Sequence, residues 1–191
     1  SPKGLSYAPD LARRELAEAG YPGGAGMPAI DFLYNTGANQ ERIIQALARM
    51  WERELGLKVQ LIGKETKGFA EDKTEHRFMV ARSNWFGDYI YPTTFLDLLH
   101  SKNGHNSGGF NDPHYDGLLK RASETADPAE RLEILSEAER YLVEEQLPLL
   151  PVYTYVMVYA WGPEVQGIHP NPRNQFPMQF IHVGRSARRS Q

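Results

Sequence analysis

AIDFLYNTGANQERIIQALARMWERELGLKVQLIG, residues 29 to 63, is the stretch that decides the fold. Ile30, Phe32 and Tyr34 alternate with Asp31 and Leu33, the period of a strand. From Asn39 to Leu55 the apolar residues Ile43, Ile44, Leu47, Met50, Trp51 and Leu55 recur at intervals of three and four, with Glu41, Arg42, Glu52 and Arg53 elsewhere, which predicts an amphipathic helix. Gly56 ends it, and LKVQLIG then sets Leu57, Val59 and Leu61 against Lys58 and Gln60 as a second strand. Strand, helix, strand is a crossover unit, and a crossover joins parallel strands. The chain is therefore read as α/β.

Upstream, PDLARRELAEAG places Leu11, Ala12, Leu16 and Ala19 at helical spacing, with Asp10 near the start and Gly20 as the stop, and the break YPGGAGMP leads into the first strand. Downstream, RFMVARSN predicts another strand and Thr93 to Leu99 a short helix, followed by the polar loop HSKNGHNSGGFNDP. Asp112-Pro113 and Asp127-Pro128 each put a capping acid before a proline at the first helical position. They predict helices to about Ser123 and Glu145. LPLLPVYTYVMVYAW is β-branched and aromatic and predicts a long strand, and FPMQFIHV one more. GRSARRSQ, with three arginines and no apolar anchor, is expected to be a disordered basic tail over 184–191.

Composition narrows the function. The 191 residues are 41% hydrophobic and 24% charged, a globular composition, and 21 basic against 24 acidic side chains leave a net charge of -3. That balance does not track a phosphate backbone, so nucleic acid is not an expected partner. The absence of cysteine excludes disulfides and thiolate metal sites. No apolar run reaches the length of a membrane span, and SPKGLSYAPD lacks a charged-then-apolar secretory pattern, so neither a membrane segment nor an export signal is expected within these residues. His100, His105 and His114 stand near Asp97, Asp112 and Asp116, but their spacing fits no metal signature, and no G-x-S-x-G nucleophile motif occurs. Neither a metal nor another cofactor is expected, nor is an enzyme.

The stretch ARSNWFGDY, residues 81 to 89, asks for a different explanation, because a core strand does not need Asp88 and a surface loop does not need Trp85. Taken alone, Asp88 reads equally as a cap for the helix that follows or as a ligand contact. Trp85 reads as core or as a cleft wall, and Arg82 as a structural ion pair or as a ligand contact.

The succession YNTGANQERIIQALARMWERELGLKVQL, FMVARSNWFGDYIYPTTFLDLLHS, GGFNDPHYDGLLKRA and EEQLPLLPVY resembles the extracytoplasmic solute-binding proteins of oligopeptide and dipeptide ABC transporters, family 5. The resemblance runs from about Tyr7 to Val183 and covers only the C-terminal lobe of that two-lobed family. It implies an α/β domain over 1–183, a mixed sheet flanked by helices, forming one lobe of a periplasmic-binding-protein-like (class II) clamshell. It also implies a peptide ligand, a missing N-terminal lobe, membrane subunits of a transporter as partners, and a periplasmic or otherwise extracytoplasmic parent protein. In that reading Asp88 receives the peptide α-ammonium, an attraction of about 4 kcal/mol at 4 Å and a dielectric near 20 before desolvation is subtracted. Trp85 and Phe86 offer flat walls to side chains, and Arg82 meets a carboxylate. Two departures leave ligand length and preference open. Thr66, Lys67 and Gly68 precede Phe69 where relatives often place a Trp, and Gln40 stands where some carry a His that contacts the ligand carboxylate. The alternatives are an interaction module that kept the lobe and lost its ligand, or a receptor for a non-peptide solute.

Overall fold

The computed structural model describes residues 2–171 and 173–184. The helix α1 spans Pro9–Glu18, and the crossover unit follows as expected: β1 (Ile30–Asn35), α2 (Ala38–Leu55) and β2 (Val59–Lys64). β1 and β2 pair in parallel, Ile30 opposite Val59 through Asn35 opposite Lys64. A second crossover through α3 (Thr66–Thr74) returns the chain to the other edge of β1 as β3 (Val80–Ala81), so the sheet order is β2-β1-β3 with every pairing parallel. β1 is thus the central strand. That position explains why Leu33, assigned by alternation to the polar face, is as buried as Phe32 and Tyr34: a central parallel strand is covered on both faces.

Two apolar clusters carry the packing. In the first, Phe32, Tyr34 and Ile44 gather Leu47, Trp51 and Val80 between α2 and the sheet, with Trp51 stacked on Phe32 at 5.7 Å. In the second, α5 (Pro113–Glu124) and α6 (Pro128–Arg140) bury Leu118, Leu119, Ile134 and Leu135 against Leu96 of α4 (Thr93–Leu96). Tyr115 sits at its centre, wholly buried, and its hydroxyl donates to the Leu96 carbonyl at 2.7 Å. Both Asp-Pro caps form as expected, Asp112 accepting from the His114 and Tyr115 amides and Asp127 from Glu130. α6 continues as a π-helical turn over Tyr141–Gln146, which gives the helical run the length that the sequence predicts.

The helix α3 follows Glu65, whose carboxylate caps Lys67 and Gly68 at 3.0 and 2.8 Å. Its buried Asp72 pairs with Lys64 at the end of β2 and with Arg77. The Lys64 bond is the largest influence holding this carboxyl below its usual range. Between α1 and β1 the chain passes tightly under the end of α2, where Gly56 adopts φ +69° and an added Cβ would lie 2.2 Å from the Gly23 carbonyl oxygen.

Three expectations need correction. The long strand expected over LPLLPVYTYVMVYAW is absent: residues 149 to 161 have no regular structure and are exposed throughout. Their composition suits a strand, but a strand exists only beside another, and no described edge pairs with this one. RFMVARSN contributes only Val80 and Ala81, and FPMQFIHV a 3₁₀ turn at Met178–Phe180 followed by β5 (His182–Val183), which pairs antiparallel with β4 (Val165–Gln166). The antiparallel part of the expected mixed sheet is therefore this separate two-stranded ribbon. The expected basic tail, beyond Gly184, lies outside the described residues.

Candidate functional site

The carboxyl ends of β1 and β3 lie side by side, and in open α/β sheets that edge is where ligands are received. Asn35 closes β1 and Arg82 follows β3, its amide still bonded to the Leu33 carbonyl at 2.9 Å. Its guanidinium donates through Nη1 to Asn35 Oδ1 at 2.8 Å and through Nη2 to the Tyr155 hydroxyl at 2.6 Å. Both acceptors are neutral. Among the described residues Arg82 makes no ion pair, so the structural ion-pair reading of this residue is set aside.

A second cation stands close by. Lys73 Nζ, from α3, donates to Ser83 Oγ at 3.0 Å and lies 5.6 Å from the centre of the Phe69 ring. Burial, and then the nearby Arg82 charge, hold its pKa below the usual lysine value. No acid among the described residues forms a salt bridge with it.

Asp88 supplies the opposite charge. Its amide donates to Thr94 Oγ1 at 2.9 Å while its carboxylate is exposed and forms no salt bridge among the described residues. α4 starts after Pro92 with no side-chain cap, so Asp88 does not cap that helix. Phe86, 58% exposed, stacks on Tyr155 at 5.6 Å. Trp85 divides its two readings: the side chain is half-buried, its ring tilted against His105 at 4.9 Å, with Nε1 buried and without a hydrogen-bond partner among the described residues. Gln40 lies in the first turn of α2, its Oε1 folded to within 2.8 Å of where a Cβ on Gly37 would stand. The structure thus joins Arg82 to Phe86 through Tyr155. It gives Gln40 no polar contact with that group among the described residues.

Asn35, Lys73 and Tyr155 are the members that the sequence did not single out. Tyr155 belongs to the segment read as a strand, and its partner lies 73 positions away. The three histidines disperse: His105 goes to Trp85, His114 to Tyr141, and His100 stands 3.8 Å from Asp116. Among the described residues no three His, Cys, Asp or Glu side chains gather to hold a metal ion.

The family model of the bacterial extracellular solute-binding proteins, family 5 (middle region), matches residues 1–107. The periplasmic murein peptide-binding protein MppA of Escherichia coli is 39% identical over 145 residues, 75% of this chain and 26% of the relative. The crystal structure of a periplasmic oligopeptide-binding protein of an oligopeptide ABC transporter, OppAIV of Borrelia burgdorferi, superposes with a TM-score of 0.80 at 27% identity, over 96% of this chain and 37% of that one. Haemophilus influenzae OppA, in complex with the peptide RPPGFSPFR, gives a TM-score of 0.81 at 26% identity, over 92% and 34%. The chain spans about a quarter to little more than a third of the length of these proteins. Its α/β fold, with helices flanking a parallel sheet, is the fold of this group, and the match covers more than half of its residues: the chain belongs to the bacterial extracellular solute-binding proteins of family 5.

Proposed function

We propose that this chain forms one wall of a peptide-binding cleft in the substrate-binding component of an ABC importer, with an oligopeptide or dipeptide as ligand. The observation that carries the reading is the charge left unneutralised at the strand ends. Arg82 is oriented by two neutral acceptors, and Asp88 presents an exposed carboxylate six positions further along the same segment. A zwitterionic peptide has the matching pair of charges. The exposed rings of Phe86 and Tyr155 beside them suit side chains of many kinds, since area burial is non-directional.

The reading includes a second lobe. Residues 149 to 161 expose Leu150, Val152, Val156 and Val158 together with three tyrosines and a tryptophan. An apolar stretch of that extent is normally covered by another surface. Ligand contacts to both lobes favour the closed state, and the membrane subunits of the importer respond to that state. Binding, not bond making, is the activity, and the site of action of the parent protein is extracytoplasmic, as the periplasmic relatives support.

The test is a titration of the chain with a mixed tripeptide library, followed by amide chemical shifts. Binding of millimolar affinity centred on residues 82 to 88 is expected, because one wall supplies part of the contacts while the cost of immobilising the ligand is met in full. Shifts that map elsewhere, or none at concentrations of tens of millimolar, overturn the peptide reading and favour a non-peptide solute or a lobe that has lost its ligand.

A further inference from the structure

We infer that Tyr155 is a positioning residue for Arg82, a part that ties the orientation of the ligand-facing guanidinium to the docking of the 149–161 segment. The inference rests on the peptide reading for its ligand, but not for its geometry.

Arginine has five donors in a rigid fork and no acceptor, so its orientation is set by whichever acceptors surround it. An acidic partner would fix the fork and cancel its charge together, and an incoming carboxylate would then have to displace that partner. Here Nη1 is held by Asn35 Oδ1 at 2.8 Å and Nη2 by the Tyr155 hydroxyl at 2.6 Å, which fixes the plane and leaves the charge available. Preorganisation of this kind lowers the ordering cost at the moment of binding.

The two acceptors differ in how they are themselves held. Asn35 ends the central strand, paired in register with Lys64. Tyr155 sits in a segment whose main chain forms no hydrogen bond with other described main-chain groups, and its ring is held instead by Phe86 at 5.6 Å and by Tyr153 edge-on at 4.9 Å. The neighbouring Tyr153 side chain and the Arg82 guanidinium both act to hold the Tyr155 phenol below its usual pKa, in keeping with a hydroxyl that accepts from a cation. Asn35 is thus the fixed acceptor and Tyr155 the adjustable one. Whatever surface covers residues 149 to 161 places the Tyr155 hydroxyl, and through it the second arm of the fork.

The experiment is nuclear magnetic resonance on the chain, observing the Arg82 Nε–Hε signal while trialanine and trialaninamide are added in separate titrations. In the unaltered chain a single sharp side-chain signal is expected, with the free acid bound more tightly than the amide. Tyr155→Phe keeps the ring stack and removes only the acceptor; it should broaden or shift the Arg82 signal and weaken trialanine about fivefold, the size of one hydrogen bond, while trialaninamide is unaffected. Asn35→Asp gives the fork an acidic partner and should abolish the preference for the free acid. An Arg82 signal that Tyr155→Phe leaves unchanged overturns the inference, whatever the peptides do. An Arg82 signal that responds to Tyr155→Phe, with no response to either peptide, supports the positioning role and sinks the peptide reading instead.

Discussion

The Tyr141 hydroxyl donates to Oδ2 of Asp112 at 2.8 Å, joining the residue after α6 to the residue before α5. The other carboxylate oxygen caps α5 through the His114 and Tyr115 amides, so one side chain both starts a helix and closes the helical pair. The Tyr115 amide is the largest influence lowering the Asp112 pKa, and the Tyr141 hydroxyl and His114 amide act the same way. A folded value below the unfolded value of about 3.9 gives stability that is fully present above that pH and is lost as pH falls through the folded value. Asp112→Ala should therefore cost about 1–2 kcal/mol at pH 7, and Asp112→Asn, which can still cap, less. In urea unfolding at pH 7 and pH 2.5, the gap between the unaltered chain and the Ala variant should narrow at the lower pH. A gap independent of pH contradicts the assignment.

Trp85 separates two kinds of burial. Its ring packs on His105 while Nε1 is enclosed without an acceptor among the described residues. Replacing a buried donor that has no partner removes a desolvation cost. Trp85→Phe is therefore expected to leave stability within about 0.5 kcal/mol, whereas Trp85→Ala should cost about 2 kcal/mol, less than a fully buried Trp because the side chain is half-exposed. Thermal unfolding of both variants decides it. A Phe variant as damaged as the Ala variant means that the indole N–H is satisfied after all.

The glycines at the end of α2 carry a sharper contrast. Gly56 and Gly20 both have positive φ, +69° and +93°, but an added Cβ at Gly56 meets the Gly23 carbonyl oxygen at 2.2 Å and one at Gly20 meets nothing. Gly20→Ala should cost about 1 kcal/mol through the backbone alone. Gly56→Ala adds a main-chain collision and should cost about 2–4 kcal/mol. Equal losses in denaturant titrations would mean that the 23–24 turn yields freely.

Much of this architecture is legible in local pattern. The β1-α2-β2 unit is written in the alternation of Ile30, Phe32 and Tyr34 and in the three-four spacing from Ile43 to Leu55, and two Asp-Pro pairs mark the starts of α5 and α6 within a residue. These signals need only neighbours in sequence. What escapes depends on distant partners. Residues 149 to 161 have strand composition without a described edge to pair with, and Leu33 is buried because β1 lies at the centre of a parallel sheet covered on both faces, a position that its own alternation does not reveal. The site divides the same way. Arg82, Trp85, Phe86 and Asp88 stand out as misfits in one short stretch, whereas Asn35, 47 positions from Arg82, and Tyr155 have no local mark.

Asp88 is the most direct test of ligand polarity. Its carboxylate neither caps α4 nor forms a salt bridge among the described residues. Asp88→Asn preserves the shape and removes the charge. Trialanine should bind about tenfold more weakly to the variant, the effect of losing one charge-assisted hydrogen bond, and N-acetylated trialanine should bind both proteins equally poorly. Calorimetry or shift titration that finds acetylated and free-amine peptides equivalent on the unaltered chain removes the ammonium role.

The last prediction concerns the apolar segment itself. Val156 and Val158 are 82% and 87% exposed, on a stretch whose main chain has no hydrogen-bonded partner among the described main-chain groups. Apolar side chains beside unpaired N–H and C=O groups favour pairing with another chain. The isolated chain should therefore fold cooperatively on its two apolar clusters and yet associate as its concentration rises. Lysine at both positions opposes such pairing by charge without touching either cluster, because exposed side chains away from the core contribute little to stability. Sedimentation velocity on the unaltered chain should show association that grows with concentration, and the Val156→Lys, Val158→Lys double variant should remain monomeric with its thermal midpoint unchanged. A large fall in that midpoint would place the segment inside the folding core. An unaltered chain that stays monomeric at millimolar concentration would show that residues 149 to 161 do not seek a covering surface, and the argument for a second lobe from this segment would go with it.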